Sequence, residues 1–484
     1  MLISQTAINF AANMFSAAFG LINVVVFTRL LAPAEFGSYA LGLGFAQIAS
    51  TFMVSWLRLP IMREQARCDG TDVRGIIVPG LLMSCLLAPV AYVATPLIGL
   101  GALSASAAAA LALTIGFFET TLELLRARLQ AFTVMKATIV RAVLVSVLGI
   151  AFTAAAHFGA ALLAASAFAY VITTLTLIRQ AWSGTVIRYD GPRLIELAKA
   201  GIPLTVSLTL LALSSVIDRF IIAHLTGSAH AGQYTAGVDL VRQALIIPAI
   251  SASTAFIPLA VQIHANRGVD AVRSHLDECF EFLLAGTLPA CLGFAILSSH
   301  IANVILGPDF RDMAIAVMPI VSIAVIFQIM SYQYLHISFL LSGRNSFYLL
   351  NTGSVLAFNA VVSYALIQQS GAIGAAWARL AAEIFGFAGA LALTRWAFPV
   401  PVPYRRLMRI LIAAIVMAIV VRSLDLAVHL SDKAALAVLI PSGIASYLIM
   451  CWLFDIAQGR QHAAYGLLAA SKAFAQWRPR GMQP

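Results

Sequence analysis

The chain is a nearly continuous series of apolar stretches, each about as long as a membrane-spanning helix. A bilayer core of about 30 Å requires about 20 apolar residues per helix. Only 10% of the 484 residues are charged, against about 25% in a soluble domain, so a water-facing surface could not be built. The sequence predicts an all-α polytopic membrane protein with about 14 transmembrane helices, at about 4–27, 36–57, 76–98, 103–122, 138–156, 159–178, 201–225, 234–262, 278–299, 314–341, 347–368, 373–395, 407–424 and 435–455.

The distribution of Arg and Lys supports this helix count and predicts an orientation. One alternating set of loops and tails holds 23 of the 30 basic residues, and three lie within predicted helices. The opposite set holds only four, namely Arg29, Arg311, Arg422 and Lys433. Since short cytoplasmic loops are rich in Lys and Arg, we expect both termini in the cytoplasm. The net charge of +10 is then a topology signal, and we expect no nucleic-acid partner.

An internal repeat relates the two halves of the chain at an offset of 195 residues. The pattern G-x-Y-x-x-G occurs at 37–42 and again at 232–237, at the starts of the second and eighth predicted helices. A weaker match pairs 158–161 with 373–376; chance similarity of small residues is the alternative. Six helices separate each pair, so the repeat is parallel, a construction in which transporters bind substrate between the lobes.

The repeat predicts how the chain divides into domains. We expect an N-terminal six-helix lobe at 1–180, a cytoplasmic inter-lobe loop at 181–200 and a C-terminal six-helix lobe at 201–396. Two additional transmembrane helices follow at 397–456, and a basic cytoplasmic tail occupies 457–484.

Charged residues inside the predicted helices are the candidate site, because each costs about 2.5 to 3.5 kcal/mol at the centre of a bilayer. One hypothesis is that arginines line a wet cavity and hold an anionic ligand, since guanidinium groups bind phosphate with two parallel hydrogen bonds. The alternative is that opposite charges on one helix face only neutralise each other, as Asp239 with Arg242 or Arg379 with Glu383. The candidate substrate ligands are Arg219, Arg242, Arg379 and Arg29, and the candidates for ion coupling are Asp218, Asp239 and Glu383.

The common sequence motifs of soluble enzymes are missing from the sequence. There is no phosphate-binding P-loop, no H-E-x-x-H and no G-x-S-x-G. The five cysteines have neither disulfide-framework nor zinc-ligand spacing, so we predict no cofactor and no metal. Several intramembrane amides could contact sugar hydroxyls or join helices: Asn13, Asn23, Gln47, Gln328, Gln333, Asn351 and Asn359.

Three passages resemble the bacterial polysaccharide and O-antigen flippases of the multidrug, oligosaccharidyl-lipid and polysaccharide exporter (MOP) superfamily. They are FTRLLAPAEFGSYALG at 27–42, the stretch from Asp218 through AGQYTAG at 231–237, and GAIGAA at 371–376. The resemblance implies a two-lobed fold with a cationic cavity, in a bacterial inner membrane. It also implies alternating access and export of an undecaprenyl-pyrophosphate-linked oligosaccharide, driven by H⁺, Na⁺ or the membrane potential.

The resemblance implies membrane lipids as partners and suggests a polysaccharide polymerase as another. Two other functions stay open at this point. A multidrug and toxin extrusion antiporter shares the superfamily, but its cavity would need acidic and aromatic groups for cationic drugs. A membrane-embedded polysaccharide polymerase or ligase would need larger outward loops than the predicted ones of about 15 residues.

Overall fold

The computed structural model describes residues 2–61, 64–65, 74–187, 189–428 and 430–456. The basic tail expected at 457–484 lies outside the described residues. Within the described ranges the chain is helical and contains no strand.

Fourteen helices in these ranges are long and apolar enough to cross a membrane, which confirms the predicted fold class. They are α1 (Leu2–Leu30), α2 (Pro33–Arg58), α3 (Arg74–Ala94), α4 (Ala102–Ala127), α5 (Ala131–Ala156), α6 (Gly159–Trp182), α7 (Gly191–Ser214, continued by Ile217–Thr226), α8 (Ser228–Arg267), α9 (Val269–Ile296), α10 (Pro308–Leu341), α11 (Asn345–Ser370), α12 (Ala372–Thr394), α13 (Tyr404–Ala427) and α14 (Asp432–Phe454).

Helix pairing follows the predicted parallel repeat. In the first lobe α2 packs on α4, α4 on α6, α5 on α6 and α1 on α5. In the second lobe α8 packs on α10, α10 on α12, α11 on α12 and α7 on α11. Adding six to each helix number of the first set gives the second set. The last two helices lie outside the repeat: α13 packs on α9, and α14 packs on α13 and on a short connecting helix, Ser298–Ile305.

The connection between the lobes is shorter than the loop expected at 181–200. Helix α6 continues to Trp182, and α7 begins at Gly191, so residues 191–200 are helical. Asp190 caps the new helix, since its Oδ1 accepts a hydrogen bond from the Arg193 backbone N–H at 3.1 Å. The Gly191-Pro192 pair within the expected loop is therefore a helix start, where proline is favoured in the first turn.

Helix α7 is interrupted, and its two parts pack differently. Val216 has a non-helical backbone (φ −136°, ψ −3°) between the two parts. Leu194 and Leu197 of the first part belong to the apolar core of the first lobe. The first part also contacts α11, and the second part contacts α8, α11 and α12 of the second lobe. The interruption therefore lies where the two lobes meet.

Two short π-helical segments widen helices of the second lobe. They are Arg242–Ile246 in α8 and Ser331–Leu335 in α10. Such segments are rare and are frequently found at functional sites. Nothing in the sequence pattern indicated them.

Candidate functional site

A cavity of about 590 Å³ lies between the two lobes. Its walls come from α2, α4 and α6 of the first lobe and from α7, α8, α10, α11 and α12 of the second. Both π-helical segments contribute to the lining, through Arg242 and Ile246 on one side and Tyr332 and Gln333 on the other. The volume is in the range of about 300 to 1,000 Å³ that holds a drug-sized ligand.

The charged residues that line this cavity are predominantly cationic. Three predicted arginines, Arg219, Arg242 and Arg379, line it together with Arg58. The single acidic residue in the lining is Glu119, whose Oε2 lies 3.2 Å from Arg58 Nη1. Within the described residues the lining therefore carries an excess of positive charge.

A buried hydrogen-bonded network holds two of the arginines in place. Asp218 is fully buried; its Oδ2 accepts from Tyr234 Oη at 2.6 Å and from Arg379 Nη1 at 3.2 Å. Arg219 Nη2 donates to Asp239 Oδ1 at 2.7 Å. Buried charges of this kind require partners, because an unpaired one is strongly destabilising. The network fixes the positions of both guanidinium groups.

These pairings differ from the two that the sequence suggested. Neighbouring charges on one helix led us to consider Asp239 with Arg242 and Arg379 with Glu383. Instead, Asp239 pairs with Arg219 of α7, and Arg379 pairs with Asp218 of α7. The partners are set by how α7, α8 and α12 pack, which spacing along a single helix does not report.

Arg242 differs from the other two arginines of the second lobe. No hydrogen bond or ion pair to Arg242 occurs among the residues that the structure describes. Asp239 is close enough to interact with it electrostatically, but the Asp239 carboxylate is bound to Arg219. Arg242 therefore offers the cavity a guanidinium group whose donors are not used by the protein.

Glu383 is 7% exposed and lies near Arg379 and Asp218, without contributing to the cavity lining. Asp239 is the most accessible of the three candidate coupling carboxylates, with its side chain 24% exposed. Among the described residues no group of three or more His, Cys, Asp or Glu side chains could hold a metal ion.

Arg29, the fourth predicted arginine, does not line the cavity. It is exposed at the end of α1, and its Nη2 donates to the Val304 backbone carbonyl at 2.8 Å. In the sequence Arg29 lies between the first two predicted helices. At such a position the sequence pattern does not distinguish a loop residue from a cavity-lining residue.

Sequence reasoning missed Arg58, the last residue of α2, as a residue of the cavity lining. It lies on the same face of α2 as Gln47, Thr51 and Val54, which also line the cavity. That helical spacing was a usable signal. Of the candidate amides, Gln47, Gln328 and Gln333 line the cavity, whereas Asn13, Asn23, Asn351 and Asn359 do not.

Solved structures of membrane transporters have a similar fold. The lipid II flippase MurJ, in an inward closed conformation, aligns with a TM-score of 0.79 and 16% identity over 93% of this chain and 99% of that chain. An inward-facing multidrug resistance MATE transporter of the MOP superfamily aligns with a TM-score of 0.57 and 15% identity, over 81% and 95%. A MOP superfamily transporter from Pyrococcus furiosus, described as having a binding pocket of reverse polarity, aligns with a TM-score of 0.56 and 15% identity, over 84% and 95%.

At these identities the structural similarity establishes the fold. No curated protein sequence matches the chain. The sequence model of a family described as polysaccharide biosynthesis protein matches residues 2–264, which is more than half of the chain. The fold and this match agree with the resemblance seen in the sequence. The chain is a multi-pass membrane protein that belongs to the polysaccharide biosynthesis protein family.

Proposed function

We propose that the chain moves an undecaprenyl-pyrophosphate-linked oligosaccharide, the repeat unit of a surface polysaccharide or O-antigen, from the cytoplasmic to the periplasmic leaflet of a bacterial inner membrane. It acts as a carrier by alternating access, with both termini in the cytoplasm. The observation that supports this most directly is the cationic cavity between the lobes. In it, the hydrogen-bond donors of Arg242 have no partner among the described residues.

The charge of such a cargo matches both the cavity and the membrane potential. A pyrophosphate diester carries about two negative charges, which guanidinium donors bind strongly. Each charge that crosses 100 mV is worth about 2.3 kcal/mol. An inside-negative potential therefore assists outward movement. Cationic drugs, the cargo expected of the antiporter alternative, would meet repulsion from the same arginines.

The neutral part of the lining is suited to the sugar next to the pyrophosphate. Gln328 lines the cavity, and its buried Oε1 has no hydrogen-bond partner among the described residues. A sugar hydroxyl would satisfy this acceptor, and Tyr332 and Tyr348 contribute aromatic rings to the same lining. The cavity volume fits the pyrophosphate with the sugars nearest to it, so we propose that recognition concentrates on that end of the glycan.

Ion coupling is a further part of the proposal. Among Asp218, Asp239 and Glu383, Asp239 is best suited to exchange H⁺ or Na⁺, because it is the most exposed of the three and is bound to the cavity residue Arg219. An anionic cargo that binds Arg219 would compete with Asp239 for the same guanidinium group. Cargo binding and release of the Asp239 carboxylate are therefore linked. A polysaccharide polymerase is the proposed consumer of the exported unit.

The test measures flipping in proteoliposomes loaded with the lipid-linked oligosaccharide that accumulates in a strain lacking this chain. We expect Arg242→Gln to lower the flipping rate about 10- to 100-fold, the equivalent of losing a charged hydrogen bond of about 1.5 to 3 kcal/mol. Arg126→Gln is the matched control, because Arg126 is an exposed arginine that pairs with Glu123 outside the cavity. Wild-type flipping no faster than in protein-free liposomes would contradict the proposed function.

A further inference from the structure

Helices α2 and α8 are related to each other by the repeat. Their first turns are in direct contact across the boundary between the lobes. Gly37 and Gly232, the first glycines of the two G-x-Y-x-x-G copies, occupy this contact. A Cβ atom added to Gly232 would lie 2.7 Å from the Gly37 backbone N, and one added to Gly37 would overlap the Ser228 carbonyl oxygen. The helix backbones can approach this closely only because both residues are glycine.

Other contacts between the lobes surround this pair at the same end of the molecule. The rings of Phe36 and Phe310 meet edge to face with centroids 5.5 Å apart. The Gly307 backbone N–H donates to Thr28 Oγ1 at 3.2 Å. Arg29 donates to the carbonyl of Val304, as described above. The predicted cavity residue Arg29 is therefore part of this inter-lobe contact.

An apolar core continues across the lobe boundary here. Phe27 and Phe36 of the first lobe join Tyr234 and Phe310 of the second in one buried cluster, each no more than 2% exposed. Farther along, α2 and α8 separate, since their cavity-lining residues begin at Gln47 and Val238. At the far end of the cavity, Arg58 and Glu119 keep 22% and 32% of their side chains exposed. The cavity is thus closed at one end and reached by solvent at the other.

We propose that this contact is the seal that closes the cavity toward the membrane face where α2 and α8 begin, the face that the distribution of basic residues predicts to be periplasmic. The seal consists of Gly37, Gly232, Phe36, Phe310 and the Thr28–Arg29 end of α1. The cavity opens to that face when Gly37 and Gly232 separate. The two copies of G-x-Y-x-x-G therefore set how firmly the cavity is closed, and the inference holds for any cargo.

The test uses Thr51→Cys, a change in the cavity lining, in a background whose native cysteines are replaced by serine. A membrane-impermeant maleimide is added separately to right-side-out and inside-out membrane vesicles. We expect Gly37→Ala and Gly232→Ala each to raise labelling on the order of tenfold in one vesicle orientation only, because the added methyl group disfavours the closed arrangement. An unchanged rate, or an equal rise in both orientations, would overturn the proposal.

Gly44→Ala is the matched control on the same helix. Its added Cβ would lie 3.4 Å from Val216 Cγ1, an ordinary contact, so labelling should stay at the parent rate. A readout that does not depend on the glycine variants is Phe36→Ala, which removes the edge-to-face contact with Phe310 across the lobe boundary. Labelling of the cavity cysteine should rise in the same vesicle orientation and not in the other. An unchanged rate would also contradict the seal.

Discussion

The two lobes share one pattern of helix packing but differ in what they present to the cavity. The second lobe contributes a charged wall, whereas the first contributes mostly neutral groups and one compensated ion pair. At an offset of 195 the contact residues are the same in both copies, namely Gly37 with Gly232 and Tyr39 with Tyr234. The charged positions are not: Asp218, Arg219, Asp239 and Arg242 correspond to Asn23, Val24, Gly44 and Gln47. Residues that hold helices together are thus repeated, whereas at these matched positions the charges occur only in the second lobe.

Placing both members of each charged pair in one lobe has a structural advantage. A buried charge needs a partner held in fixed geometry, and the second lobe supplies both members of the Asp218–Arg379 and Arg219–Asp239 pairs from its own helices. The charged wall can therefore stay intact when the lobes move relative to each other. A wall divided between the lobes would lose its pairings in each cycle.

The largest expected effect follows from removing the carboxylate at the centre of the network. Asp218→Asn takes from the buried Arg379 guanidinium the carboxylate that it is hydrogen-bonded to and leaves only Glu383 nearby, so we expect a loss of about 3 to 5 kcal/mol of stability. The first-lobe counterpart, Asn23→Ala, should cost no more than about 1 kcal/mol because no charge is uncovered. Thermal unfolding of the detergent-purified protein measures both. Equal losses of stability in the two variants would mean that the charge at position 218 is no more important for folding than the neutral side chain at position 23.

A smaller effect is expected when both members of the pair are neutralised. Combining Asp218→Asn with Arg379→Gln removes the uncompensated charge, so the double variant should recover about 0.5 to 3 kcal/mol relative to the sum of the single variants. A double-mutant cycle of unfolding free energies gives this coupling. Strict additivity would indicate that the two side chains are stabilised by other groups.

A pH-dependent effect is expected where the second lobe meets the helices outside the repeat. His300 on the connecting helix lies 2.7 Å from Asp432 Oδ1 and 2.8 Å from Asp425 Oδ1, one carboxylate for each ring nitrogen. Burial lowers the pKa of His300, but the hydrogen bonds and charges of the two carboxylates outweigh it and raise the pKa above 6.5. Arg422 also pairs with Asp425.

Because the folded-state pKa of His300 is raised, its contribution is complete below the unfolded-state pKa of about 6.5 and is lost as pH rises through the folded-state value. The attachment of α13 and α14 should therefore weaken as pH rises above about 6.5 and through the raised pKa of His300. His300→Gln should remove this dependence in thermal unfolding. A pH profile identical to that of the parent protein would show that other groups titrate.

The smallest effect is expected at the neutral counterpart of Arg242. Gln47→Leu removes one polar group from the first-lobe wall, worth about 0.5 to 1.5 kcal/mol if it binds the cargo. The flipping rate should fall about tenfold or less. If Gln47→Leu lowered the flipping rate more than Arg242→Gln does, the first-lobe wall would contribute more to cargo binding than the second-lobe wall.

The sequence was sufficient for the helix count, the parallel repeat and three of the four cavity arginines that it singled out. Hydrophobic length and the alternation of basic loops depend on local composition, and an intramembrane charge is conspicuous wherever it lies. The ion-pair partners could not be predicted, because Asp218 and Arg379 are 161 residues apart and meet only through tertiary packing. That Arg58 lines the cavity and Arg29 does not could not be predicted for a related reason: both lie near helix ends, where sequence alone does not separate loop, headgroup and cavity positions.

The interruption in α7 has a mechanical consequence. Its first part packs on α2 of the first lobe as well as on α11, whereas its second part contacts mainly helices of the second lobe, so a tilt between the lobes would change the torsion angles around Ser215 and Val216. Arg219 lies only three residues beyond Val216. A rotation at that joint would re-aim its guanidinium group, so the grip on a bound anion would loosen or tighten with the tilt itself.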